Sequence, residues 1–202
     1  MADNSTMSVV VDDETLETGV LGLTTVGEVL DHVRRNDRLV VQLLIDGEAP
    51  DLTHMSSVQA QSLDDRTLYI ETADPREIAL AAVKTAREML ESADRMRLEI
   101  AELLRNNNWT EAMTKLGECL VAWQQIRQTV GKVAQLRKLK IEDLGVGKAT
   151  RDTVANFAEQ LRGIKTAVET GDIVSLTDIL TYEFEPNTVQ WRVILDALAA
   201  AI

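Results

Sequence analysis

A single cysteine, Cys119, in 202 residues leaves no partner for an internal disulfide, so packing alone must hold the chain together. Only two histidines occur, His32 and His54, and neither has a second His or Cys at ligand spacing, which excludes the common zinc patterns. No Glu-x-x-His pair is present, so a di-iron helical bundle is excluded as well. No apolar run reaches the roughly 18 residues of a membrane-spanning helix, so no membrane partner is expected. The opening Met1-Ala2-Asp3-Asn4-Ser5-Thr6 lacks the basic and apolar regions of a secretory signal, and the cytoplasm is the expected compartment. Gly145-Val146-Gly147-Lys148 has neither the preceding strand nor the full spacing of a phosphate loop and reads as a linker. Aromatic residues make up only 3%, so aliphatic side chains must do most of the packing. These absences predict no metal, no cofactor and no catalytic residues.

The residues that are present are unevenly charged. Residues 1–74 hold 15 Asp and Glu against 4 Lys and Arg, a net −11, whereas residues 75–202 hold 18 against 17 and are nearly neutral. A domain this acidic repels phosphate backbones and anionic lipid, which argues against nucleic acid as its main ligand; the acidity reads first as a source of solubility, the alternative being electrostatic choice of a basic protein partner. The boundary near Asp74-Pro75 separates an expected disordered segment 1–6 and a domain at 7–73 from a second domain at 74–202.

In the first domain, Met7-Ser8-Val9-Val10-Val11 is β-branched and suits a strand, Asp12-Asp13 a turn, and Leu16 to Leu21 a returning arm. Thr25 and Glu28 have the spacing of a capping box ahead of Val26, Val29, Leu30 and Val33, which recur at helical spacing. Arg38 to Ile45 is the strongest strand and ends at Asp46-Gly47; a last strand covers Thr67-Leu68-Tyr69-Ile70-Glu71. The order strand, strand, helix, strand, irregular segment, strand resembles the ubiquitin-like β-grasp. Gln42-Leu43-Leu44-Ile45-Asp46-Gly47 is similar to ubiquitin's third strand and glycine turn, and Asp65 to Ile70 to its final strand. A ubiquitin-type modifier ends in a free diglycine, but here Thr72-Ala73-Asp74-Pro75 runs into a helix, so conjugation is not expected. The resemblance then implies a docking module.

Period-two alternation sharpens this expectation. Leu39, Val41, Leu43 and Ile45 would share the helix-covered face, leaving Val40 and Leu44 on the open face with Tyr69. By resemblance, Leu44 matches the apolar residue that ubiquitin presents to partners. Val40, Leu44 and Tyr69 are therefore the candidate protein-binding residues, the alternative being that this face packs on the helical half.

The second domain reads as an antiparallel four-helix bundle, making the whole chain α+β. Asp74-Pro75 starts the first helix, which breaks at Asn106-Asn107-Asn108. A second helix starts near Trp109-Thr110 with Thr110 as cap, a third near Ala149 or Thr150, and a fourth at Asp172, its apolar register running through Pro186. That continuity predicts one kinked helix, with a break at Glu185-Pro186-Asn187 as the alternative. Trp123 and Trp191 fall on apolar stripes. Trp109 opens a helix beside three asparagines and joins the candidate protein-binding residues. Cys119 is expected as a packed thiol, and Arg87, Arg95, Arg97 and Arg105 as part of a solvated, salt-bridged face. The expected function is a non-catalytic adaptor, scaffold or chaperone-like protein. A homo-oligomer built on the bundle is one alternative, and an enzyme whose site is not visible as a motif is the other.

Overall fold

The computed structural model describes residues 8–140 and 147–202, leaving aside the side chains of 147–152 and 154. The N-terminal segment 1–6, Met7 and the Gly145-Val146 part of the linker lie outside the described residues. The fold is α+β, a small four-stranded sheet followed by a helical part, and the chain divides into two compact units between Ile78 and Ala79.

In the first unit, β1 (Ser8–Val11) turns at Asp12 and Asp13, whose φ values of 52° and 66° are left-handed, as a tight two-residue hairpin demands. The returning arm is far shorter than the expected Leu16 to Leu21: β2 is only Glu14–Thr15, and Thr18–Leu21 coils into the short helix α1, closed by Gly22 at φ 67°. The expected capping box opens α2 (Val26–Arg35): Thr25 Oγ1 accepts from Glu28 N at 3.2 Å, and Glu28 Oε2 accepts from Thr25 N at 3.1 Å. Asp46, at φ 54°, ends β3 (Leu39–Ile45) and accepts from Thr67 N at 2.9 Å, tying that turn to the start of β4 (Thr67–Ala73). Between these strands lie a 3-10 turn, Leu52–His54, and the short helix α3, Met55–Gln59. Helix α2 approaches α3 closely at Gly27, where a Cβ would stand 2.9 Å from the Gln59 carbonyl oxygen.

The sheet order is β2-β1-β4-β3, with β1 and β4 parallel and the other two pairings antiparallel. One face packs against α2 and α3 through Val9, Leu43, Ile45, Leu68 and Ile70, which meet Val26, Val29, Leu30 and Val58 in a single core.

The second unit is helical. Asp74 Oδ1 caps α4 (Pro75–Arg105) by accepting from Arg76 N at 2.7 Å. Apart from Pro75 and Ala101, its buried positions, Ala79, Val83, Ala86, Leu90, Ala93, Arg97, Ile100 and Leu104, alternate intervals of four and three. Helix α5 (Trp109–Leu136) repeats that rhythm at Ala112, Leu116, Cys119, Trp123, Ile126, Val130 and Val133. This is the seven-residue period of helices packed side by side. The asparagine triplet does double duty: Asn107 takes φ 58° to close α4, and Asn108, not Thr110, stands at the start of α5.

Helix α6 (Gly147–Thr170) is followed by Gly171 at φ 68° and by Asp172, whose carboxylate caps α7 (Ile173–Asp178) by accepting from Ser175 N at 3.0 Å. The chain does not break at Pro186. It widens instead into a π-helical turn over Ile179–Glu183 and resumes as α8 (Phe184–Ala201). The cause is the proline, which has no N–H to offer the Tyr182 carbonyl and would crowd it in a regular helix; one wide turn relieves both. Within the wide turn, the carbonyls of Leu180 and Thr181 receive Arg97 Nη1 at 2.9 and 3.1 Å. Arg97 is therefore a core residue, 4% exposed, and not part of a solvated face as expected. Asp94 takes its Nε at 2.6 Å.

Trp123, Phe157, Phe184 and Trp191 form one aromatic cluster with centroids 4.9–6.3 Å apart, joining α5, α6 and α8. Cys119 is buried beside it. Burial pushes its thiol up to about 11, a protonated and unreactive state at neutral pH. Among the described residues, no helix is long and apolar enough to cross a membrane.

Candidate functional site

The sheet face turned away from α2 is built by register. Val10 of β1 and Leu44 of β3 each stand directly opposite Tyr69 of β4. Side chains at paired positions lie about 5 Å apart, so these three make one apolar row across three strands. All three are half-buried. The row is bordered by Gln42 and Glu71, opposite each other on one side, and by Ser8 and Thr67 on the other.

The Tyr69 ring is anchored at its polar end. Its hydroxyl lies 3.1 Å from Glu71 Oε1 and 3.3 Å from Asp13 Oδ1. Both carboxylates can only accept, and a phenol has one proton, so the two share it. Donation to Glu71, with the charges of Asp13 and Glu71 beside it, pushes the phenol up to about 12 from its ordinary 10. The apolar row therefore carries a negative rim. Asp13 is held there by the β1–β2 turn, where the adjacent Asp12 accepts from Thr72 N at 2.6 Å, from Thr72 Oγ1, and from Arg38 Nη2 at 3.4 Å. These bonds, led by the Thr72 hydroxyl, hold the Asp12 carboxyl below its ordinary value.

Leu44 and Tyr69 are thus brought together on the open face as expected, but Val40 is not. The β3–β4 register slips between Val40 and Gln42, making Val41 the extra residue of a β-bulge. Upstream of a bulge the faces exchange, so Val40 stands opposite Thr72 and packs on the core, while Val41 is 55% exposed. The expectation of an unbroken alternation through Leu39-Val40-Val41 fails because three consecutive apolar residues carry no parity to read. For the same reason Val10 was missed: in Val9-Val10-Val11 only the pairing with β4 tells which valine faces out.

Trp109 belongs to the second unit. It is the first residue of α5 and is half-buried, resting against the helical core. His32 Nε2 lies 3.4 Å from Asn36 Nδ2, and His54 Nδ1 lies 3.2 Å from Asp51 Oδ2. Among the described residues no group of three His, Cys, Asp or Glu is placed to hold a metal ion.

No solved structure matches the chain. An uncharacterized protein of Treponema pallidum (strain Nichols) is 24% identical over 188 residues, covering 89% of this chain and 92% of that protein, so the similarity runs through both units. The match to a family model, by contrast, falls within the helical unit. Residues 81–194 match the family described as Domain of unknown function (DUF8042), more than half of the chain, and the chain belongs to that family.

Proposed function

We propose that the chain is a non-catalytic protein-binding module, an adaptor or scaffold in which a ubiquitin-like β-grasp docks a partner and a four-helix bundle carries it. Three features support the β-grasp reading: the β2-β1-β4-β3 order, the parallel pairing of the outermost strands in sequence, and α2 across one face. Helix α4 starts at Pro75, two residues after β4 ends, which argues against a conjugated tail. The displaced carboxyl groups sit at caps and turns (Glu28, Asp51, Asp172, Asp12), apart from the displaced Tyr69, Lys115 and Cys119, and this scatter favours binding over catalysis.

The observation that carries the reading is the Val10–Tyr69–Leu44 row with Asp13 and Glu71 at its rim. Its occupant would be a protein segment with an apolar residue flanked by Lys or Arg, matched to the row and to the −11 charge of residues 1–74. The test is affinity capture on the full chain with Leu44→Asp, using Val41→Asp as an exposed control away from the row. Partners lost with Leu44→Asp and kept with Val41→Asp support the reading; an identical set of partners with both variants overturns it. A second reading, a homo-oligomer built on the helical unit, rests on Val189 and Val193, exposed one turn apart on α8. A constant monomer mass across a light-scattering concentration series excludes it.

A further inference from the structure

Strand β3 is an outer strand of its sheet, hydrogen-bonded to β4 on one side and, among the described residues, to no strand on the other. Two contacts at its end show which main-chain groups face outward. Asp46 N donates to the Thr67 carbonyl at 2.8 Å, toward β4, whereas Ile45 N donates to the Glu48 carbonyl at 2.9 Å, away from it. These directions alternate along an antiparallel strand, so Leu43, two residues before Ile45, turns its N–H and C=O outward too. Glu48 covers Ile45, and the bulge at Val41 interrupts the regular pattern upstream. Between them the outward groups of Leu43 meet no partner among the described residues.

A groove of about 210 Å³ runs beside this open edge, lined by Leu30, Arg34, Val40, Leu43, Leu52 and Met55. Leu52 is 66% exposed, a large apolar side chain left in water beside unpaired backbone. Outer strands are ordinarily guarded by charge or proline; β3 carries neither, and its bulge leaves Leu43 open. The two ends of the edge differ in charge. Arg34, near the start of β3, makes only a 3.5 Å contact with Asp31 of its own helix. Glu48, at the far end, is exposed and makes no ion pair among the described residues.

We propose that this edge binds a short extended protein segment, added to β3 as an antiparallel strand. Its main chain would exchange two hydrogen bonds with Leu43, the more stable of the two pairing directions. A residue opposite Leu43 points its side chain to the same face as Leu43, so an apolar residue there enters the groove beside Leu52 and Met55. Charge complementarity then places Lys or Arg on the segment's N-terminal side, toward Glu48, and Asp or Glu on its C-terminal side, toward Arg34. The edge is separate from the Val10–Tyr69–Leu44 row, and the proposal stands without it.

The test is nuclear magnetic resonance of the isotope-labelled full chain. In the free protein, amide exchange should be fast at Leu43 and slower at Leu44, whose N–H faces β4. The probe is the blocked pentapeptide acetyl-Lys-Thr-Ile-Thr-Glu-amide, whose isoleucine falls opposite Leu43. Its binding should slow exchange at Leu43 and shift the amides of Val40, Leu43, Leu52 and Met55. N-methylation of the isoleucine removes the donor to the Leu43 carbonyl and should abolish binding. Leu52→Ser, at an exposed position, should weaken binding by roughly tenfold, the scale of uncovering part of a leucine. A Leu43 amide already protected in the free chain, by a second copy or otherwise, would overturn the proposal. So would failure of the probe to bind, equal binding of the N-methylated probe, or equal affinity of Leu52→Ser and wild type.

Discussion

Replacing Arg97 by Met tests whether the π turn is held open by a buried arginine. Methionine keeps most of the aliphatic volume on α4 but removes the guanidinium that serves the Leu180 and Thr181 carbonyls and Asp94. Leu180 is buried, and the Arg97 side chain is 4% exposed, so water cannot readily replace the lost donors. Each buried acceptor left without a partner costs about 1–3 kcal/mol, and breaking a buried charged contact from one side costs about 3–5 kcal/mol. Because Asp94 is partly exposed and can be rehydrated, its share is small, and the expected loss is about 3–4 kcal/mol. Urea denaturation followed by circular dichroism measures it, and hydrogen exchange should quicken first across Ile179–Glu183. A loss under about 1 kcal/mol with unchanged exchange there would refute the reasoning.

Three further outcomes follow from local geometry. With Tyr182→Phe as background, Tyr69 ionisation followed at 295 nm should have its midpoint near 12, and Glu71→Gln should bring it down. Since the folded pKa is the higher one, this contribution to stability is complete below pH 10 and is lost as pH rises toward 12. Asp12 has the opposite sign: its carboxyl is depressed by Thr72 and Arg38, so its contribution is present at neutral pH and disappears as pH falls below the ordinary carboxylate range. Acid unfolding of Asp12→Asn should therefore show a shallower pH dependence than wild type. Gly27→Ala places a methyl 2.9 Å from a backbone oxygen that cannot swing away, and thermal melting should show a loss of about 1–3 kcal/mol despite alanine's better helix propensity.

Features governed by neighbours in sequence were legible beforehand. The Thr25–Glu28 capping box, the Asp74-Pro75 start and the Asp172 cap each depend on side chains reaching backbone three or fewer residues away. Features governed by distant partners were not. The bulge at Val41 exists only in the pairing of β3 with β4, and it moved Val40 from the open face to the core. Arg97 occupies a core position in the seven-residue period of α4, which its charge disguised; what admits it is the pair of carbonyls at Leu180 and Thr181, more than 80 residues along the chain. The π turn itself has a local cause in Pro186, but whether a proline breaks, kinks or widens a helix depends on which distant groups wait to take the carbonyls of the altered turn. Two of the three residues of the open-face row, Leu44 and Tyr69, were readable from alternation. Val10 needed the parallel register of β1 with β4.

The docking account rests on the Val10–Tyr69–Leu44 row, and its most direct test is a binding isotherm of a captured partner against wild type and Leu44→Asp. A charge within the apolar row should cost at least about 2 kcal/mol, a rise in Kd of roughly thirtyfold, with the far-ultraviolet spectrum unchanged. A Kd within about twofold of wild type, on the same folded protein, would contradict it.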